Sequence, residues 1–120
     1  MVLAIVALCL SLYIRLGIYG EIIDMMRVAY IEVVEKLTHM MHGLGFEAER
    51  AKLCARLFAE TTRDGVYSHG LNRLPRFLET IHNGRVQVSA CPELSASASA
   101  LERWNGRSGP GNLNAHQCME

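Results

Sequence analysis

Apolar and polar positions change their rhythm several times along the chain. Residues 1 to 14 (MVLAIVALCLSLYI) carry no charge, and the first charged residue is Arg15. From Met26 onward charged residues are frequent. Between 30 and 42 (YIEVVEKLTHMMH), Val33, Leu37, Met40 and Met41 share one helical face. Glu32 and Lys36 stand four apart on another face, in the supportive order. Gly43 and Gly45 predict the end of this helix, because glycine readily takes the left-handed C-terminal cap. A second helix is predicted over 47–63, with Ala51, Cys54, Leu57 and Phe58 as its buried stripe. Glu47 and Glu49 suit the positive end of its dipole. Gly65 and Gly70 then bracket an irregular piece. Pro75 is tolerated only near a helix start, so a third helix is predicted over 72–82. Leu74, Phe77, Leu78 and Ile81 are its inward face, and Asn83-Gly84 stops it.

Beyond Gly84 the pattern shortens. Residues 85–88 (RVQV) read as a short extended piece, and 93–98 and 100–104 as two short strands. Asn105-Gly106 is a turn signal. The final GPGNLNAHQCME reads as a Gly-rich turn opening a helix that has scarcely begun at Glu120. The predicted class is α+β and mainly helical: N-terminal helices followed by short strands. No internal repeat is visible.

Composition narrows this picture without naming a chemistry. A chain of 120 residues with 50% apolar and 20% charged residues suits one modest ordered domain. Twelve basic and twelve acidic residues give a net charge of +0, which argues against bulk electrostatic binding to nucleic acid or acidic membrane. The apolar head has three readings: a membrane-associated segment, a core helix, or an extension foreign to the functional protein. Arg15 interrupts it before the roughly 20 apolar residues that a spanning helix needs. No Lys or Arg precedes it, as a secretory signal would require. The third reading is favoured, with residues 1–25 as a doubtful extension, a true start at Met25 or Met26, and residues 26–120 as the functional part. Cys9, Cys54, Cys91 and Cys118 form no C-x-x-C motif. They read as free thiols of a reducing compartment, hence a cytoplasmic protein.

The densest chemistry lies in Gly65-Val66-Tyr67-Ser68-His69-Gly70-Leu71-Asn72-Arg73. Histidine gains or loses a proton near neutral pH and is the commonest general acid or base. Arg73 lies four residues after His69, so a helix beginning near His69 would set both on one side. A planar guanidinium grips a carboxylate with two hydrogen bonds. Such a pair suits work on a small acid, with arginine holding the carboxylate and histidine handling the proton. The plainer reading is that Ser68 caps the helix, His69 is a turn residue, and Arg73 and Arg76 are solvated. His39 and His42 are three apart on a helix but lack a third ligand, so no metal site is expected. His82 and His116 are isolated.

The run TTRDGVYSHGLNRLPRF, with Asn83-Gly84, Trp104 and the GNLNA of 111–115, resembles the N-terminal part of the malate/L-lactate dehydrogenase family. That family is distinct from the common Rossmann-type dehydrogenases. The likeness covers about residues 26 to 120, and SHG-x-x-R is its most specific part. It implies reversible hydride transfer between NAD(H) or NADP(H) and the carbon bearing a 2-keto or 2-hydroxy group of a small acid. It implies that His69 is the proton donor and that Arg73 lies near the substrate carboxylate or the cofactor. Ser68 and Asn72 become supporting polar groups that contact substrate. It also implies a larger non-Rossmann fold, a helical portion on a mixed sheet, working as a homodimer. Family members are longer, so most of the cofactor site is expected outside this chain, and the chain alone is expected to be inactive.

One tension accompanies this reading. A helix N-terminus and Arg73 both favour neutral imidazole at His69, so a carboxylate from elsewhere in the fold is needed to restore the proton. Two other classes stand beside the enzyme. One is a small helical nucleic-acid-binding module, which the neutral charge disfavours. The other is a membrane-anchored small protein using residues 1–20.

Overall fold

The computed structural model describes residues 28–120. The expectations for residues 1–25 therefore lie outside the described residues. Helix α1 spans Tyr30–Gly43 and α2 spans Ala48–Arg63. Their apolar stripes face each other. Leu37 and Met41 from α1 meet Ala51, Cys54, Ala55, Phe58 and Ala59 from α2, and Phe46 closes the corner between them. The α2 positions follow i, i+3, i+4, i+7, i+8, which is one helical stripe.

The ends of both helices follow from local chemistry. Glu47 stands just before α2 rather than in its first turn, and its carboxylate accepts from Arg50 N at 3.3 Å. This satisfies one of the donors that a helix start leaves open. At the end of α1, Gly45 has φ +92°, Gly45 N donates to His42 O and Phe46 N donates to Met41 O. At the end of α2, Gly65 has φ +81°, Gly65 N donates to Thr62 O and Val66 N donates to Thr61 O. Both are the paired cap that a left-handed glycine permits.

A single 3-10 turn, Leu71–Arg73, leads into α3, Leu74–His82. The predicted helix over 72–82 is thus two pieces, because Pro75 falls in the first turn of the α-helical one. Phe77 packs its ring 5.3 Å from that of Phe58. Leu74 and Ile81 also reach the core, but no residue of α3 is fully buried, and Leu78 is outside the cluster.

Residues 85–88 form no strand. Val86 N closes the end of α3 on Thr80 O, and Gln87 N bonds Ser108 O instead of a ladder partner. Val88 packs on the core beside Gly45. The side chain of Arg50 holds this stretch to α2, with Nη2 donating to Val88 O at 3.2 Å and to Ala90 O at 2.9 Å. Strand β1, Glu93–Ala98, pairs antiparallel with β2, Leu101–Asn105. The second strand starts one residue later than predicted because Ser99, at φ +54°, and Ala100 make the turn. A bulge at Ser95 offsets the register, and Ser95 Oγ donates to Arg103 O. The hairpin is exposed along nearly its whole length.

After Gly106 the chain turns onto α4, Gly111–Met119. This is a nine-residue helix, longer than the opening turn predicted for the segment. Leu113 is buried, and Asn112 Nδ2 donates to Cys54 Sγ at 3.3 Å, which docks α4 on α2. Among the described residues no helix is long and apolar enough to cross a membrane.

Candidate active site

The candidate residues sit where α2 ends and the chain crosses to α3. Val66 O accepts from both His69 N and Gly70 N, each at 3.1 Å. That closes a tight turn over 66–70. Gly70 N-caps the 3-10 turn with no side chain to offer, and Arg73 N donates to Gly70 O at 2.9 Å. His69 therefore lies in the turn, ahead of the 3-10 piece, and Arg73 ends that piece. The one-turn helical relation expected between them is replaced by a turn followed by 3-10 geometry. Ser68 does not cap a helix. Its Oγ lies 2.9 Å from His69 Nδ1.

That contact has a chemical consequence. With Ser68 donating, neutral imidazole carries its proton on Nε2. With imidazolium, Nδ1–H donates to Oγ and Nε2 still bears a proton. In these two states Nε2–H is free to donate to a bound oxygen, whereas the neutral tautomer with Nδ1–H donating to Oγ leaves Nε2 an acceptor. Ser68, His69, Asn72 and Arg73 are all exposed. Among the described residues, Arg73 makes no ion pair and His69 meets no carboxylate. The carboxylate partner expected for His69 is thus not supplied by these residues.

A cleft of about 200 Å3 lies behind the turn, lined by Tyr30, Val33, Ala59, Thr62, Arg63 and Leu71. Arg63 stacks over the Tyr30 ring at 5.0 Å, and Tyr30 OH donates to Glu60 at 3.4 Å. A larger groove of about 500 Å3 runs between α1 and α2 past His39 and His42, and none of the four candidate residues lines it. Among the described residues no group of three metal-ligating side chains converges.

Among the described residues, Cys54, Cys91 and Cys118 are free thiols. Burial pushes the Cys54 thiol above its ordinary range, opposed by the Asn112 amide and by Arg50. Cys91 is exposed and accepts from Arg50 Nη1 at 3.1 Å. Sequence reasoning missed two connecting residues here. Arg50 was readable only as a charge, and Thr62 only as part of a helix. Thr62 Oγ1 accepts from Leu71 N at 2.8 Å across nine positions, a spacing with no periodic signature.

The chain is similar to 2,3-diketo-L-gulonate reductase of Citrobacter koseri, 39% identical over 95 residues, 79% of this chain and 29% of that protein. Its fold matches malate dehydrogenase from Pyrococcus horikoshii, with TM-score 0.73, 24% identity, and 78% of this chain on 27% of that one. It also matches delta1-piperideine-2-carboxylate reductase from Pseudomonas syringae pathovar tomato, with TM-score 0.66, 26% identity, and 77% of this chain on 28% of that one. The chain thus spans under a third of the length of these relatives. A family model for malate/L-lactate dehydrogenases matches residues 28–120, which includes the SHG turn and every described element. On that match the chain belongs to the malate/L-lactate dehydrogenase family.

Proposed function

We propose that residues 26–120 are the proton-donating part of an NAD(P)H-dependent oxidoreductase acting on small acids. The reaction is reduction of a 2-keto acid such as 2,3-diketo-L-gulonate, or oxidation of a 2-hydroxy acid such as malate or lactate. The observation that carries this reading is the exposed SHG turn, with Ser68 Oγ 2.9 Å from Nδ1 of His69 and Nε2 left open on the solvent side, the nitrogen from which we propose the proton is donated. Negative charge develops on the substrate oxygen as the carbonyl is reduced. A histidine N–H at that oxygen stabilises the charge and supplies the proton. Arg73 holds the substrate carboxylate, with Asn72 as a supporting polar group.

The cleft nearest the turn does not fit a dinucleotide by itself, and the larger groove between α1 and α2 includes none of the four candidate residues. The one nearest the turn, at about 200 Å3, is below the range usual for ligands even of drug size. Most of the nicotinamide site is therefore proposed outside this chain, on a non-Rossmann fold that works as a homodimer. The free Cys54, Cys91 and Cys118 support a cytoplasmic setting.

Two experiments test the reading. Fluorescence titration of the chain with NADH should show no tight, saturable binding. A chimera should then carry residues 28–120 in place of the segment they match in the Citrobacter koseri reductase. It should oxidise NADH or NADPH with a 2-keto acid, and His69→Gln should lower kcat about 10²- to 10⁴-fold. An active His69→Gln chimera would refute the proton-donor role.

A further inference from the structure

The turn that carries His69 touches the folded body at few points. Every residue from Arg63 to His69 is exposed, and Gly70 is the first to be buried. Upstream, the turn is held by the backbone bonds that close α2. Downstream, the Leu71 side chain packs on the core, and one side chain bonds the Leu71 backbone. Thr62 Oγ1 accepts from Leu71 N at 2.8 Å and donates to Phe58 O at 2.9 Å. A helix start normally has its open N–H groups capped by the preceding side chain. Gly70 has none, and Thr62 supplies the acceptor from the previous helix.

The packing around Gly70 agrees. A Cβ there would fall 2.2 Å from Thr62 Oγ1 and 3.0 Å from both Cα and N of Thr62. Gly70 has φ −86°, so the position demands glycine for space rather than for a left-handed backbone. Thr61 is the natural contrast. Its Oγ1 donates to Leu57 O at 2.7 Å, a bond within its own helix.

We propose that Thr62 is a positioning residue whose hydroxyl latches the Leu71 N–H to the end of α2 and so fixes the turn presenting His69. The proposal rests on the reading of His69 as proton donor. Thr62 acts through Leu71 and Gly70 and touches no reacting atom. The bonds are shared in sequence. Leu71 is tied to Thr62, while Gly70 N and His69 N are both tied to Val66 O. Releasing Leu71 therefore loosens the bonds that orient His69.

The test uses the 15N-labelled full chain as wild type, Thr62→Val, Thr62→Ser and Thr61→Val. Amide exchange at Leu71 reads the latch, and the ring 15N shifts of His69 read its tautomer. In the wild type, Leu71 should exchange about tenfold or more slowly than Tyr67. Thr62→Val keeps the shape without the hydroxyl, and should lose that protection and move the His69 ring shifts. Thr62→Ser should restore both, and Thr61→Val should change neither. An unprotected Leu71 in the wild type overturns the proposal. So does a Thr62→Val chain with unchanged signals, a Thr62→Ser chain damaged like Thr62→Val, or a Thr61→Val chain damaged equally. If Thr62→Val fails to fold, the wild-type protection and the Thr62→Ser spectrum still decide. None of these readouts needs cofactor or turnover. Failure here is therefore separate from failure of the proton-donor reading, which the His69→Gln chimera decides.

Discussion

Helices α1 and α2 and the six residues that follow them are built on opposite terms. The helix pair holds most of the buried core, with Met41, Cys54 and Ala51 fully out of solvent. Residues 64–69 are all exposed, and they hold Ser68 and His69. The first region has apolar contacts and no candidate chemistry. The second has candidate chemistry and almost no apolar contacts. Stability and proton transfer ask different things of a side chain. Burial rewards an apolar group that water does not reach, while a proton donor must meet its substrate. The two regions join at Thr61 and Thr62, whose backbone carbonyls cap α2 and open the turn.

The largest effects expected should separate the two regions cleanly. His69→Gln should leave urea unfolding within about 0.5 kcal/mol of wild type, as exposed substitutions do, while lowering kcat of the chimera about 10²- to 10⁴-fold. Phe58→Ala should destabilise by about 3–5 kcal/mol, since it opens a cavity against Phe77 in the core. Equal stability losses for the two variants would break the contrast.

A smaller effect concerns the thiols. At mildly alkaline pH a thiol reagent should label Cys91 well before Cys54, because reaction needs both access and thiolate. Burial raises the Cys54 value in the folded chain, so the fold favours the protonated thiol. Its contribution is whole below the ordinary thiol range and is lost as pH rises through the raised value. Cys54→Ala should flatten the alkaline fall in stability, read as the urea midpoint against pH. A Cys54 that labels as fast as Cys91 would contradict its burial. The smallest effect is expected in the hairpin. Leu101 is 76% exposed, so Leu101→Ser should shift unfolding by no more than about 0.5 kcal/mol. A larger loss would mean that the hairpin is held by a surface not visible among the described residues.

Much of the helical architecture was legible because its causes are local. Val33, Leu37 and Met41 repeat at four-residue spacing, and Gly45 and Gly65 stand where a left-handed residue is needed. The second half was less legible. Val86 and Val88 alternate as a strand would, yet their partners are a helix end and the α1–α2 core. The hairpin start moved by one residue because Ser99 took the left-handed turn position, for which serine carries little signal. Of the site, Ser68, His69, Asn72 and Arg73 stood out through their residue types and their family motif. The bond between Ser68 and His69 did not, since either residue has several partners within reach in an unfolded turn.

The sequence by itself determined where the three main helices lie, how they end, the neutral charge balance, and the SHG-x-x-R motif with its family. Those features depend on residues within about one helical turn of each other. Tertiary structure alone decided that Arg50 fastens residues 88–91 to α2, that Asn112 reaches the Cys54 thiol, and that Gly70 is there for space. Each depends on a close approach between segments far apart in the chain or on either side of a turn. Such distances are set by how the apolar faces of α1, α2, α3 and α4 pack, and no spacing along the chain encodes them.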